Sequence, residues 1–316
     1  TVASSPNGAA GRGRAVAGSV TATRYGQSAD HQPLGTGAST SAQSRVIAGI
    51  AKAPAPSLAI APAPVNAAAG RRARGRREPV GGRSTVAESR CIVAVGAHAA
   101  DMEFTAGATM LKHVRAGWQG HFVNLSLGEK GSGTLSPAEY GAQKRAEAEA
   151  AAAALGCGAH FLPYADGELV ADEPTARALA TTLRQLRPDV VITHWKHSLH
   201  LDHEATYAIT RQAIFMAANR HFDLDGLAPK YARCFLADNW EDEPGFEPFI
   251  LVDVSAEWAA FKAAFHSFAI GRGEGGYPYW DQYESRCRQH GLRLARTYAQ
   301  AYAVEPWQRW VGRELL

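Results

Sequence analysis

Ile92-Val93-Ala94-Val95-Gly96-Ala97-His98-Ala99-Ala100-Asp101-Met102-Glu103 is the stretch that decides how this chain is read. Four apolar residues run into an amphipathic helical pattern, so His98, Asp101 and Glu103 are predicted to emerge at the carboxyl end of a strand. Open α/β sheets place their ligands there. A second apolar run, Val190-Val191-Ile192-Thr193, leads about a hundred residues later into His200-Leu201-Asp202-His203. Two His and one Asp arriving from two such strand ends supply the three protein ligands of a catalytic zinc and leave the fourth position for water or substrate.

Outward from these clusters, short apolar runs alternate with helical periods, the pattern of βαβ units. Phe104, Ala108 and Leu111, with Met110 and Val114, recur at helical spacing, with Lys112, His113 and Arg115 in the last turn and Gly117 as the stop. A strand is predicted over 121–127. Ser136-Pro137-Ala138-Glu139 opens a long Ala-rich helix with a capping box, and Gly156 closes it. Further strands are predicted over 160–162, 190–195, 231–236 and 249–254, with helices over 173–186 and 206–218. Trp258, Phe261, Phe265 and Phe268 form an apolar helical stripe read as core. The glycine-rich segments 128–133 and 271–280 are read as loops, the second with aromatics able to anchor it or to face a sugar. The fold class expected is a doubly wound, mostly parallel α/β sheet, Rossmann-like, over residues 89–316. The chain has no GxGxxG after its first strand, which counts against a dinucleotide site.

Residues 1–88 read differently. They are rich in Ala, Gly, Ser, Pro and Arg, and Tyr25 is their only aromatic residue; up to Arg90 the chain has 12 Lys and Arg against 3 acidic residues. Such a segment cannot bury enough apolar surface to offset its chain entropy, and a disordered basic tail is expected. Its run Arg71-Arg72-Ala73-Arg74-Gly75-Arg76-Arg77 would be attracted to phosphate of any kind, but without interleaved aromatics or a folded frame no specific nucleic-acid binding is expected. No apolar stretch is long enough for a membrane span. Cys91, Cys157, Cys234 and Cys287 form no CxxC pair and suit free thiols in a reducing compartment, so a cytoplasmic protein is the expectation.

The clusters also carry a resemblance. The chain looks like the PIG-L/LmbE-like family of zinc-dependent deacetylases, which act on N-acetylglucosamine-type amides. That family's Ala-His-Pro-Asp-Asp-x-Glu is matched by Ala97-His98-Ala99-Ala100-Asp101-Met102-Glu103, and its His-x-Asp-His by His200-Leu201-Asp202-His203. Gly128-Glu129-Lys130-Gly131 matches a loop between them. Lys144, Glu147, Leu155 and Gly156 match a helix with a basic residue three before a Glu and a closing Leu-Gly. The resemblance implies His98, Asp101 and His203 as zinc ligands and His200 as partner of the developing oxyanion and leaving group. Asp202 would orient a ligand from behind, and Lys144 would bind substrate. His194 and His197 are expected in the site wall, and the other histidines are taken as structural.

Ala100 departs from the family, which has there the Asp that serves as general base. Either another carboxylate, Glu129 or Asp202, substitutes, or the chain runs a different zinc reaction, or it binds without catalysing. The first reading is removal of an acetyl group from an acetamido sugar or similar small polar substrate. The alternative is a zinc-dependent hydratase or lyase of an unsaturated carboxylic acid, which a lysine in the pocket, Lys130, Lys144 or Lys196, would favour. A small-molecule substrate is the partner expected, and a homo-oligomer is compatible with either reading.

Overall fold

The computed structural model describes residues 90–309. The tail expected over residues 1–88 therefore lies outside the described residues. Seven strands form one sheet in the order β3-β2-β1-β4-β5-β7-β6. They are β1 (Cys91–Gly96), β2 (Gln119–Asn124), β3 (Gly158–Phe161), β4 (Val190–Thr193), β5 (Arg233–Ala237), β6 (Ile250–Asp253) and β7 (Ala299–Ala303). The first five pair in parallel, and β7 runs antiparallel to both β5 and β6. The fold is thus the mostly parallel α/β sheet expected, with an antiparallel edge added.

The strand order reverses between β1 and β4, because the chain winds outward through β2 and β3 before returning to start β4 on the other side of β1. Connections leaving these two strands diverge to opposite faces and leave a crevice at their carboxyl ends, where such sheets bind ligands. Both sequence clusters fall at that crevice.

Strands covered on both faces carry apolar residues without alternation. In β1, Val93 and Val95 pack with α4 (Glu173–Leu186) and α5 (Leu201–Ala218) through Leu179, Leu183 and Ile209. Ile92 and Ala94 face the other way, onto Met102, Met110, Ala152 and Leu155. The helices of that layer are α1 (Asp101–Thr105), α2 (Gly107–Arg115), α3 (Pro137–Ala154) and α6 (Trp258–Phe265). The aromatic stripe of α6 is buried as expected, beside Phe104, Trp280 and Tyr283.

Several expectations shift in detail. The helix read from Phe104 to Arg115 is two helices, broken at Ala106; Gly107, which opens the second, lies so close to Phe261 that a Cβ there would stand 2.7 Å from its ring. The segment read as loop to Trp280 ends sooner, since α7 (Tyr279–Arg293) already holds Tyr279 and Trp280. The Ser136 capping box and the Gly156 stop are present as read. All four cysteines are free, and no described helix is long and apolar enough to cross a membrane.

Candidate active site

His98 stands two residues beyond β1. The backbone turns sharply there: Ala100 adopts φ 96°, in the left-handed region, and its N–H donates to Glu103 Oε2 at 3.0 Å. The turn starts α1 at Asp101 and sends that carboxylate back toward His98, whose N–H donates to Asp101 Oδ2 at 2.8 Å. Glu103 is buried beneath, its Oε1 accepting from Asn124 Nδ2, and burial pushes its carboxyl up to about 7. Glu103 therefore braces the turn and does not face the cavity. From the other strand end, His200 caps α5, its Nδ1 accepting the Asp202 N–H at 3.3 Å. His203 lies one turn on, almost fully buried.

The three residues implied as ligands come together. His98 Nδ1 lies 3.2 Å and His203 Nε2 3.5 Å from the same Asp101 Oδ2. One donor atom from each of the three falls within a sphere of contact that suits a single ion. The ring nitrogens facing away are also held: His98 Nε2 by Asp202 at 3.2 Å and Asp166 at 3.1 Å, His203 Nδ1 by Asp242 at 2.9 Å. Metal-bound histidines characteristically place a carboxylate on the second nitrogen, which fixes ring and tautomer. The donor set therefore fits a divalent cation. The charges agree. Burial opposes a charge on His98, yet Asp101, Asp166 and Asp202 raise its pKa well above that of a free imidazole. A cation among these carboxylates would displace that proton.

A cleft of about 230 Å³ opens on the cluster. His98, Asp101, His200 and His203 line it, together with Ala100, Phe104, Lys144, Trp240, Glu241 and Tyr279. Neither Glu129 nor Asp202 lines it. Asp202 is spent behind His98, accepting from the N–H groups of Gly167 at 2.7 Å and Leu169 at 3.3 Å. Glu129 Oε1 accepts from Asp166 N–H at 2.9 Å while its Oε2 is buried without a partner. Gly128 is required just before it: its φ is 70°, and a Cβ would stand 3.1 Å from that of His98. Besides Asp101, the carboxylates in the cleft wall are Asp166, tied to His98, and Glu241. Burial, then Asp101 and Asp242, push the Glu241 carboxyl up to about 7.

Lys144 is buried in the cleft wall, with Nζ 5.2 Å over the Phe268 ring. It has neither a hydrogen bond nor an ion pair among the described residues. Burial lowers its pKa, opposed by the more distant Asp101, Glu103, Glu147 and Asp166. Lys130 is spent on Glu168, and Lys196 lies over Trp195. His194 is wholly buried behind His203, stacked on it at 4.0 Å, and does not reach the cleft surface. His197 is exposed, 3.9 Å from Glu204. Sequence reasoning passed over Asp166, Glu241 and Asp242. Their only signal was an acidic residue a few positions beyond the end of β3 and of β5.

This arrangement has relatives. Residues 93–214 match the family PIG-L, GlcNAc-PI de-N-acetylase. They form a PIG-L family domain. The chain is 27% identical over 214 residues, 64% of its length, to a 4-oxalmesaconate hydratase of Pseudomonas putida, of which 80% is covered. Among solved structures, the 4-carboxy-2-hydroxymuconate hydratase of Pseudomonas putida KT2440 superposes with a TM-score of 0.64 at 23% identity. That match covers 72% of this chain and 100% of the other. The N,N'-diacetylchitobiose deacetylase of Pyrococcus horikoshii gives 0.59 at 20% identity, over 72% of this chain and 88% of its own. The PIG-L fold thus carries both hydratases and deacetylases, and fold alone does not choose between them.

Proposed function

We propose that this chain is a metal-dependent hydratase that adds water across the carbon–carbon double bond of a small unsaturated carboxylic acid. The observation that carries this reading is Lys144. A buried ammonium without a hydrogen-bonded partner is costly, and a cleft that keeps one is built to receive an anion. A substrate carboxylate fits that demand better than an acetamido sugar. Ala100 points the same way, since its buried methyl stands where deacetylases of the family hold their base. The 27%-identical hydratase adds a precedent.

His98, Asp101 and His203 hold the metal in this reading, and zinc suits their His2Asp set. Bound there, the ion would polarise a substrate oxygen and acidify water. The chain's own residues do the rest. Lys144 fixes the carboxylate. His200, whose Nδ1 accepts a backbone N–H, carries its proton on Nε2 and donates to developing negative charge. Glu241, which lines the cleft, exchanges in this reading the proton that joins or leaves the carbon next to the carboxylate. Asp202 and Asp166 hold His98 in place. Hydroxide joins one alkene carbon and a proton the other, so the reaction needs no redox partner.

Amide hydrolysis remains the second reading, because the three ligands and His200 serve a tetrahedral intermediate equally well. Turnover separates the two. The zinc-loaded full chain is expected to bleach the ultraviolet absorbance of conjugated oxo- and hydroxy-dicarboxylic acids and to release no amine from acetamido sugars. Amine release without hydration overturns the proposal.

A further inference from the structure

We propose that Asp242 is the positioning residue of this metal site, a single carboxylate that ties both ligand-bearing segments together through two imidazoles. The inference rests on the metal reading above. Asp242 is fully buried in the turn after β5 and faces both rings: Oδ1 is 2.9 Å from His203 Nδ1 and Oδ2 3.1 Å from His194 Nδ1. The His203 bond aims Nε2 at Asp101. The His194 bond reaches further, because His194 Nε2 accepts the N–H of Ala97 at 3.1 Å, one residue before His98. A continuous string therefore runs from the backbone beside one ligand, through His194 and Asp242, to the ring of another.

Because Nε2 of His194 accepts the Ala97 N–H, its proton sits on Nδ1, toward Asp242. Both imidazoles then present an Nδ1–H to Asp242. A carboxylate accepts both bonds; an amide accepts one and sets its own N–H against the other. Asn is therefore not an equivalent residue here, although its volume is the same.

The test uses the full chain and measures Zn2+ affinity by chelator competition, together with the ligand-field spectrum of the Co2+ form. Asp242→Asn is expected to weaken Zn2+ binding by about 10- to 100-fold, the usual loss when a ligand's outer partner is removed, and to alter the Co2+ spectrum. Asp238→Asn is the control. Asp238 is also buried, beyond the end of β5, but holds Arg286 at 2.8 Å and His290 at 2.7 Å, away from the site. Its loss should lower Tm without changing metal affinity. Unchanged affinity in Asp242→Asn, or equal loss in both variants, overturns the proposal. Should Asp242→Asn not fold, His194→Gln replaces it, with several-fold weaker binding and an altered Co2+ spectrum expected; an unchanged spectrum and affinity overturn the proposal. Wild-type protein that binds no divalent ion overturns the metal reading and this one together, whereas metal bound equally by wild type and variants overturns this one alone.

Discussion

Two groups of histidines in this molecule stand in opposite surroundings. His98, His194, His200 and His203 gather at the carboxyl ends of β1 and β4, and His121 and His160 lie side by side on β2 and β3 with Nδ1 and Nε2 3.2 Å apart. At the first, Asp101, Asp166, Asp202 and Asp242 stand against the rings; the pKa values of His98 and His194 rise despite burial, while burial and the neighbouring His194 lower that of His203. At the second no carboxylate among the described residues answers the rings: burial pushes both pKa values down, and His160 adds to the shift of His121. Residue type is shared, so the carboxylates make the difference. A site for a cation needs excess negative charge around neutral donors, and only the first group has it.

The widest separation between the two groups is expected in metal binding. His98→Ala and His203→Ala each remove a donor from the proposed three-ligand set, so Zn2+ affinity should fall by more than the roughly 100-fold typical of losing an outer partner. His121→Ala, and His197→Ala at the exposed edge of the first group, should retain wild-type content after purification without chelators. Full zinc in His98→Ala would erase the distinction.

Next in size is Lys144. Lys144→Met keeps the length and apolar stem of the side chain and deletes the one lysine or arginine charge that lines the cleft among the described residues. A hydrogen bond to a charged group contributes about 1.5–3 kcal/mol, so KM for an unsaturated acid should rise roughly 10- to 100-fold, with kcat and zinc content much less affected. If kcat falls and KM does not move, Lys144 serves the chemistry or the fold and not the carboxylate.

The sequence made the first group legible for a physical reason. Side chains within one turn of a helix or beyond one strand end are brought together by local spacing, as with His98 and Asp101 or His200 and His203. α4 was readable to its ends because Asp172 caps it and its buried face repeats at helical period. The carboxylates behind the rings were not readable. Asp166 and Asp242 reach them across loops, at chain separations that no periodicity encodes. α7 was hidden because its inward stripe is sparse, only Trp280, Tyr283, Cys287 and Gly291 among polar residues. β7, Ala299-Gln300-Ala301-Tyr302-Ala303, is buried throughout but is rich in the strongest helix former.

Adding a carboxylate to the first group tests whether its charge balance is already set. Ala100→Asp restores the family's residue at a backbone position, φ 96°, that Asp tolerates better than Ala. The new carboxylate would lie beside Asp101 and above buried Glu103. Repulsion of about 1.4 kcal/mol suffices for a tenfold effect, so hydration is expected to drop roughly tenfold at equal zinc occupancy. A gain of amine release from acetamido sugars, which a placed base would raise by about 10²-fold or more, would move the assignment to the deacetylase.

The smallest effect belongs to the second group and concerns stability alone. Because burial lowers the pKa of His121 and His160 below the ordinary 6.5, the unfolded chain takes up their protons first as pH falls. Their contribution is intact above the unfolded value and is lost as pH drops below about 6.5 toward the folded values. His160→Gln removes one titrating ring and relieves the other of a cationic neighbour. The variant's Tm should therefore fall less steeply than that of the wild type between pH 7 and pH 5, by a few degrees at most, since both rings are only half-buried. Zinc affinity should be unchanged across the same range relative to wild type. A steeper acid limb in the variant would mean that the pair gains stability on protonation, and the contrast with the carboxylate-ringed group would then fail.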